Sequence, residues 1–218
     1  MRYTDAISVP SSEVVNKTLR NTYGLLALTL LFSAFTAGLS VTLNLPHPGL
    51  IITLVGFYGL LFLTHKFQNS AIGLLCVFAL TGFMGLTLGP VLNAYLSIPG
   101  GASLIMSALG ITGLSFLGLS AYALISKKDF SFLGGFITVG FFVLVFAMIA
   151  GIFIQMPALQ LFISAGFALF SGAVILLQTS QIVRGGETNY ITAAVTLYVS
   201  LYNMFLSILA LLGMSNDD

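Results

Sequence analysis

The sequence predicts an all-α polytopic membrane protein, seven transmembrane helices in one bundle with the seventh at its centre. Three observations carry the class and the count of seven, and the polar stripe of the last span, described below, carries its central place. First, the 218 residues are 58% hydrophobic and only 6% charged, with a mean hydropathy of +1.08. A soluble domain carries about 25% charged residues, so most of this chain maintains no aqueous surface. Second, the apolar runs are continuous and of helical length, where a β-barrel would show alternating segments of about 10 residues. Third, when the runs are laid out as alternating crossings, all seven Lys and Arg residues fall on one side. A missed or invented crossing would scatter them over both faces.

Residues 1–21 are polar and hold Arg2, Asp5, Glu13, Lys17 and Arg20. They are too long and mixed for a signal-peptide n-region, and no A-x-A pattern ends the following run. They are expected to form a partly disordered cytoplasmic tail, with residues 22–213 as the transmembrane domain. The expected spans are 22–43, 50–65, 71–95, 102–126, 132–154, 158–183 and 189–213, and residues 214–218 are left as a short periplasmic tail. The second span, about 16 residues, is near the lower limit for a crossing. The third contains Gly85-x-x-x-Gly89 followed by Pro90, which predicts close helix contact and a kink. The sixth has Ser164, Ala168 and Gly172 at four-residue spacing, a small-residue face.

The connections alternate in chemistry. LPHPG, SIPGGA and QMP carry proline and no Lys or Arg, whereas HKFQNS, SKKDFS and VRGGETN carry Lys66, Lys127, Lys128 and Arg184. The positive-inside rule then places the N-terminus in the cytoplasm and, after seven crossings, the C-terminus outside. No inverted repeat is visible, and an odd span count weighs against repeat-built transporters.

The last span is the most polar of the long apolar runs. Thr196, Ser200, Asn203 and Ser207 fall at i, i+4, i+7 and i+11 and share one helical stripe, with Tyr198 and Tyr202 as a neighbouring i, i+4 pair. Lipid offers no hydrogen bonds, so the stripe is expected to turn inward, as interhelical glue or as the wall of a wet cavity. Gln178, Thr179, Ser180 and Gln181 crowd the basic-side end of span six, Gln178 being the deepest of them.

Reactive chemistry is sparse. All six carboxylates lie outside the spans or at their margins, and no Lys or Arg is deep in a span. Proton-coupled transporters and ion-selective pores usually keep an ionisable group within the membrane. His47 and His65 fall on opposite faces and cannot share a metal or a triad. H-E-x-x-H, G-x-S-x-G and P-loop signatures are all missing. No enzyme, no metal and no cofactor is therefore expected. Cys76, the single cysteine, reads as a packing residue, and the net charge of +1 offers no face for nucleic acid.

KKDFSFLGG at 127–135, LLQTSQIVRGGETNYI at 176–191 and LYVSLYNMF at 197–205, with RNTYGLL near the start of the first span and the LGP of span three, resemble the Bax inhibitor-1 (transmembrane BAX inhibitor motif) family. Within it the chain is most similar to the bacterial branch of FtsH-protease modulators. The resemblance covers nearly the whole chain and implies a bundle with span seven at the centre. It also implies an inner-membrane protein whose partners are lipid and a membrane-anchored hexameric AAA protease, whose action on membrane substrates it tunes. The polar N-terminal tail, with Lys17 and Arg20, is the candidate contact for that partner. In calcium-leak members of the family, spans six and seven each supply an aspartate, and the pair shares a proton that gates the leak. The matching positions here are Gln178 and Ser200, neither of which ionises, while Asn203 retains the family's amide. A calcium leak channel or transporter lined by the last two helices is the alternative reading. The intramembrane carboxylate that would favour it is missing from the sequence.

Overall fold

The computed structural model describes residues 12–154 and 156–215. Helices α1 (Ser12–Thr42), α2 (Leu50–Lys66), α3 (Ala71–Leu96), α4 (Gly101–Ser126), α5 (Leu133–Phe153), α6 (Pro157–Val183) and α7 (Tyr190–Met214) make up the fold, with no strand among the described residues. Six are long and apolar enough to cross a membrane. The seventh, α2, has 17 residues; at about 1.5 Å per residue it spans roughly 25 Å, short of the usual hydrocarbon thickness of about 30 Å.

Every helix end but one lies within one residue of its expected position. The exception is the start of α1, which begins at Ser12, so that residues 12–21 of the expected tail are helix. Glu13 sits in the first turn, where it complements the helix dipole, and no Gly or Pro interrupts the run to Tyr23. Tertiary contact fixes this segment as well: Thr18 is buried and its hydroxyl donates to the Thr188 carbonyl at 3.4 Å. Residues 1–11 of the expected tail, and 216–218 at the other end, lie outside the described residues.

Helix α7 packs against every other helix except α5, which itself rests on α6 alone. The core follows from that arrangement. Leu197, Tyr198 and Leu201 of α7 meet Leu26 of α1, Leu80 of α3 and Ile175 of α6. A second cluster, Ala108, Phe205 and Leu209, joins α7 to α4 further along.

Small residues let α1 and α3 approach. A Cβ added at Gly85 would lie 2.4 Å from the Ser33 carbonyl oxygen, and one at Gly89 2.1 Å from Ser40 Oγ. Close contact at the Gly85/Gly89 pair is thus a property of the fold. Pro90 explains the chemistry at the same place. Lacking an N–H, it leaves the carbonyl four residues back, that of Leu86, without its helical partner. Ser40 Oγ of α1 donates to that carbonyl at 2.8 Å, the kind of rescue that makes proline tolerable within lipid. On α6 the expected small-residue face is divided. Gly172 is buried near Leu119 and Met204, while Gly166, outside the expected spacing, takes Leu144 of α5.

At the basic end the connections are cross-tied. Asn189 accepts from the amides of Ile191 and Thr192, capping α7, and its own amide nitrogen donates to the Gln68 carbonyl (3.2 Å) and Asn69 Oδ1 (2.8 Å). The Thr192 hydroxyl donates to Gln68 Oε1. The α4–α5 turn is held to the end of α6 by Ser180 Oγ donating to the Lys128 carbonyl (2.9 Å) and by the Arg184–Asp129 ion pair (2.7 Å).

Candidate functional site

The polar groups that converge on α7 belong to two faces of different character. On the first, Tyr198 is 1% exposed. Its hydroxyl donates to the Thr81 carbonyl of α3 at 3.3 Å and lies 2.6 Å from Ser33 Oγ of α1. With the phenolic proton committed to Thr81, Ser33 is left to donate to the phenol. One turn on, Tyr202 donates to the Met84 carbonyl (3.3 Å) and lies 3.5 Å from Thr87 Oγ1. These tyrosines tie α7 to α1 and α3.

The second face is the stripe read from the sequence. Ser200 and Ser207 are buried, and Thr196 and Asn203 are half-buried. Thr196 Oγ1 donates to the Thr192 carbonyl (3.0 Å) and Ser200 Oγ to the Thr196 carbonyl (2.8 Å). Both bonds stay within α7, where a hydroxyl can always reach the carbonyl four residues back. Neither residue bridges to another helix through its hydroxyl.

Gln178 on α6 is buried, 7% exposed, and its Nε2 has no hydrogen-bond partner among the described residues. No hydrogen bond joins it to Ser200. It stands five residues from the end of α6 at Val183, and Ser200 stands ten from the start of α7 at Tyr190. That difference is about 7.5 Å of depth. Three hydroxyls that sequence reasoning passed over share the condition of Gln178: those of Thr22 on α1, Ser120 on α4 and Ser171 on α6 are buried without partners. Serine and threonine are so common in these helices that nothing in the sequence singles them out. Next to Gln178, Thr179 is wholly buried with its Oγ1 3.4 Å from the Tyr23 hydroxyl.

Lys17 and Arg20 lie exposed on the first turns of α1, where they line a shallow surface hollow with Ser12, Glu13 and Asn16. His65 is exposed at the end of α2, and His47 Nδ1 accepts from the Gly49 amide in the opposite connection. At the end remote from the lysines a cleft of about 520 Å³ opens between α3, α6 and α7, walled by Tyr95, Ile98, Gln160, Ser164 and Gly213 among others. On the basic face, the Ser131 hydroxyl and amide both donate to Asp129, and with Arg184 alongside they hold its carboxyl below the ordinary carboxylate range.

This architecture agrees with what comparison with known proteins gives. The family model described as "Inhibitor of apoptosis-promoting Bax1" matches residues 15–217. The chain belongs to the Bax inhibitor-1 family. Within the family it is 57% identical over 211 residues to an uncharacterised protein of Pseudomonas aeruginosa, covering 97% of this chain and 95% of that one. It is 56% identical over 203 residues to the Modulator of FtsH protease YccA of Escherichia coli K12, covering 93% and 92%. The same identity relates it to a protein of Escherichia coli O6:H1 named as inner membrane protein YccA. The chain is a multi-pass membrane protein, and its α7 is the helix about which the bundle is assembled.

Proposed function

We propose that this protein is a non-enzymatic inner-membrane protein that binds a membrane-anchored AAA protease of the FtsH type and tunes its action on membrane proteins in quality control. The observation that carries the reading is the 56% identity, over 92% of its length, to a protein named for modulating that protease. The distribution of charge supports an orientation suited to it. Lys66, Lys127, Lys128 and Arg184 share an end with Lys17 and Arg20, so the positive-inside rule puts the start of α1 in the cytoplasm and the end of α7 in the periplasm. The exposed first turns of α1, with Lys17 and Arg20, are then the contact offered to the partner, and the segment before Ser12 is the handle it engages.

Full-length protein with a C-terminal tag, recovered from membranes, should co-purify the protease. Its deletion should change the half-life of a membrane substrate of that protease. Removal of residues 1–11 keeps every described helix and should weaken both effects, as should Lys17→Gln with Arg20→Gln. Orientation is checked separately by cysteine labelling: Lys128→Cys should react only from the cytoplasmic side and Ser97→Cys only from the periplasmic side. No co-purification together with unchanged substrate turnover would overturn the proposal.

A further inference from the structure

We propose that the turn between α4 and α5 is a docking surface for the headgroup of an anionic phospholipid, held by Lys127 and Lys128. The argument begins with charge. The turn reads Lys127-Lys128-Asp129, and Asp129 is committed: Arg184 reaches it at 2.7 Å and the Ser131 amide donates to it at 2.9 Å. The Arg184–Asp129 pair is the one ion pair among the described residues, so both lysines are left without an acidic partner. Lys128 Nζ meets only a neutral neighbour, the Tyr122 hydroxyl at 3.4 Å, and lies over that ring at 5.8 Å. Both lysines are exposed.

Depth decides what kind of anion they meet. Helix α4 is a 26-residue apolar span that ends at Ser126, and the lysines follow at once. Around them Tyr122, Phe132 and Phe136 turn their rings outward, 48%, 72% and 61% exposed. Aromatic rings with lysine just beyond a span end are the pattern of the membrane–water interface, where the rings rest among upper acyl chains and the ammonium groups reach the phosphates. An acidic protein segment would match the charge and leave those rings uncovered; a phospholipid matches both.

The backbone points the same way. Lys127 has φ +50° and ψ +21°, a left-handed conformation in which glycine is the unstrained residue. A side chain is carried there despite the strain, and strain of this kind is a pointer to function. The turn is also fixed before any ligand arrives, with Phe130 buried and Ser180 Oγ on the Lys128 carbonyl, so little ordering is needed on binding.

The strain supplies the decisive variant. Lys127→Gly removes the charge and relaxes the backbone, so it should fold as well as the parent, which the thermal midpoint without lipid checks. Full-length protein in mild detergent is titrated with phosphatidylglycerol, and its thermal midpoint is followed, with phosphatidylcholine and inorganic phosphate as separate arms. Phosphatidylglycerol should raise the midpoint, less so at high salt, and the other two should not. Lys127→Gly and Lys128→Gln should each weaken the apparent affinity roughly fivefold, from the usual contribution of one lysine near an anionic surface. Lys66→Gln, at the end of α2, should leave most of the response intact. An equal response in the parent and in a variant carrying both Lys127→Gly and Lys128→Gln overturns the proposal. So does a shift given by inorganic phosphate alone, or displacement of the lipid by an acidic peptide.

Discussion

Replacing Gly85 by alanine tests the contact on which the α1–α3 pair depends. The added Cβ would stand 2.0 Å from Thr36 Oγ1 and 2.4 Å from the Ser33 carbonyl oxygen, where ordinary contact begins at 3.4 Å. The threonine hydroxyl can rotate away, but the carbonyl belongs to a helix and cannot. Helix α1 must therefore recede by about 1 Å, and overpacking of this kind costs roughly 1–3 kcal/mol. The same displacement loosens the Ser33–Tyr198 contact, 2.6 Å in the parent, so the upper part of that range applies. In water, alanine would recover about 1 kcal/mol of helix propensity. In a bilayer or micelle the separated helices remain helical, which cancels most of that gain. Reversible unfolding in mixed micelles should show Gly85→Ala destabilised by about 2 kcal/mol. Gly110→Ala in α4, where an added Cβ meets nothing within 4 Å, should be near neutral. Equal stabilities for the two variants would refute the idea that this approach of backbones is required.

Four further outcomes follow from the same geometry. Tyr198→Phe should cost about 1 kcal/mol and couple with Ser33→Ala in a double-mutant cycle, whereas Tyr202→Phe should cost less because the Met84 carbonyl keeps its bond from Thr87 at 2.8 Å. Ser40→Ala should destabilise the protein when Pro90 is present and have little effect beside Pro90→Ala, because alanine's own N–H then satisfies Leu86; additive effects in unfolding titrations would contradict this. A carboxyl with a depressed pKa contributes stability that is present above its unfolded value and lost as pH falls through the lower folded value. Amide protection factors in the 127–132 turn, taken against the intrinsic exchange rate at each pH, should therefore be unchanged through the neutral range, fall only in acid below the ordinary carboxylate range, and lose that acid dependence in Asp129→Asn. Gln178→Met, which removes a buried amide nitrogen that has no partner among the described residues, should leave stability equal or higher, and a loss above about 1 kcal/mol in thermal unfolding would show that the amide is satisfied in the folded protein.

Most helix ends were legible because they are marked by a change in composition, apolar run to proline, glycine, lysine or a short polar stretch, and those signals survive any tertiary arrangement. The start of α1 was not, since residues 12–21 carry no apolar period and their helix is fixed by contacts such as Thr18 to Thr188 that join distant parts of the chain. Gly85 and Gly89 were legible as a close-contact signal, but their partners Ser33, Thr36 and Ser40 were not, because a hydroxyl on α1 looks the same whether it meets lipid, its own helix or proline's orphaned carbonyl. The same ambiguity governs α7. Thr196 and Ser200 drew attention by their spacing, yet a short hydroxyl side chain can always turn back to the carbonyl four residues earlier, and both do. A tyrosine has no such option. Its ring holds the hydroxyl too far from its own backbone, so once Tyr198 is buried its proton must go to another helix. In a helical membrane bundle the long polar side chains therefore show more reliably than the short ones which faces are joined across helices.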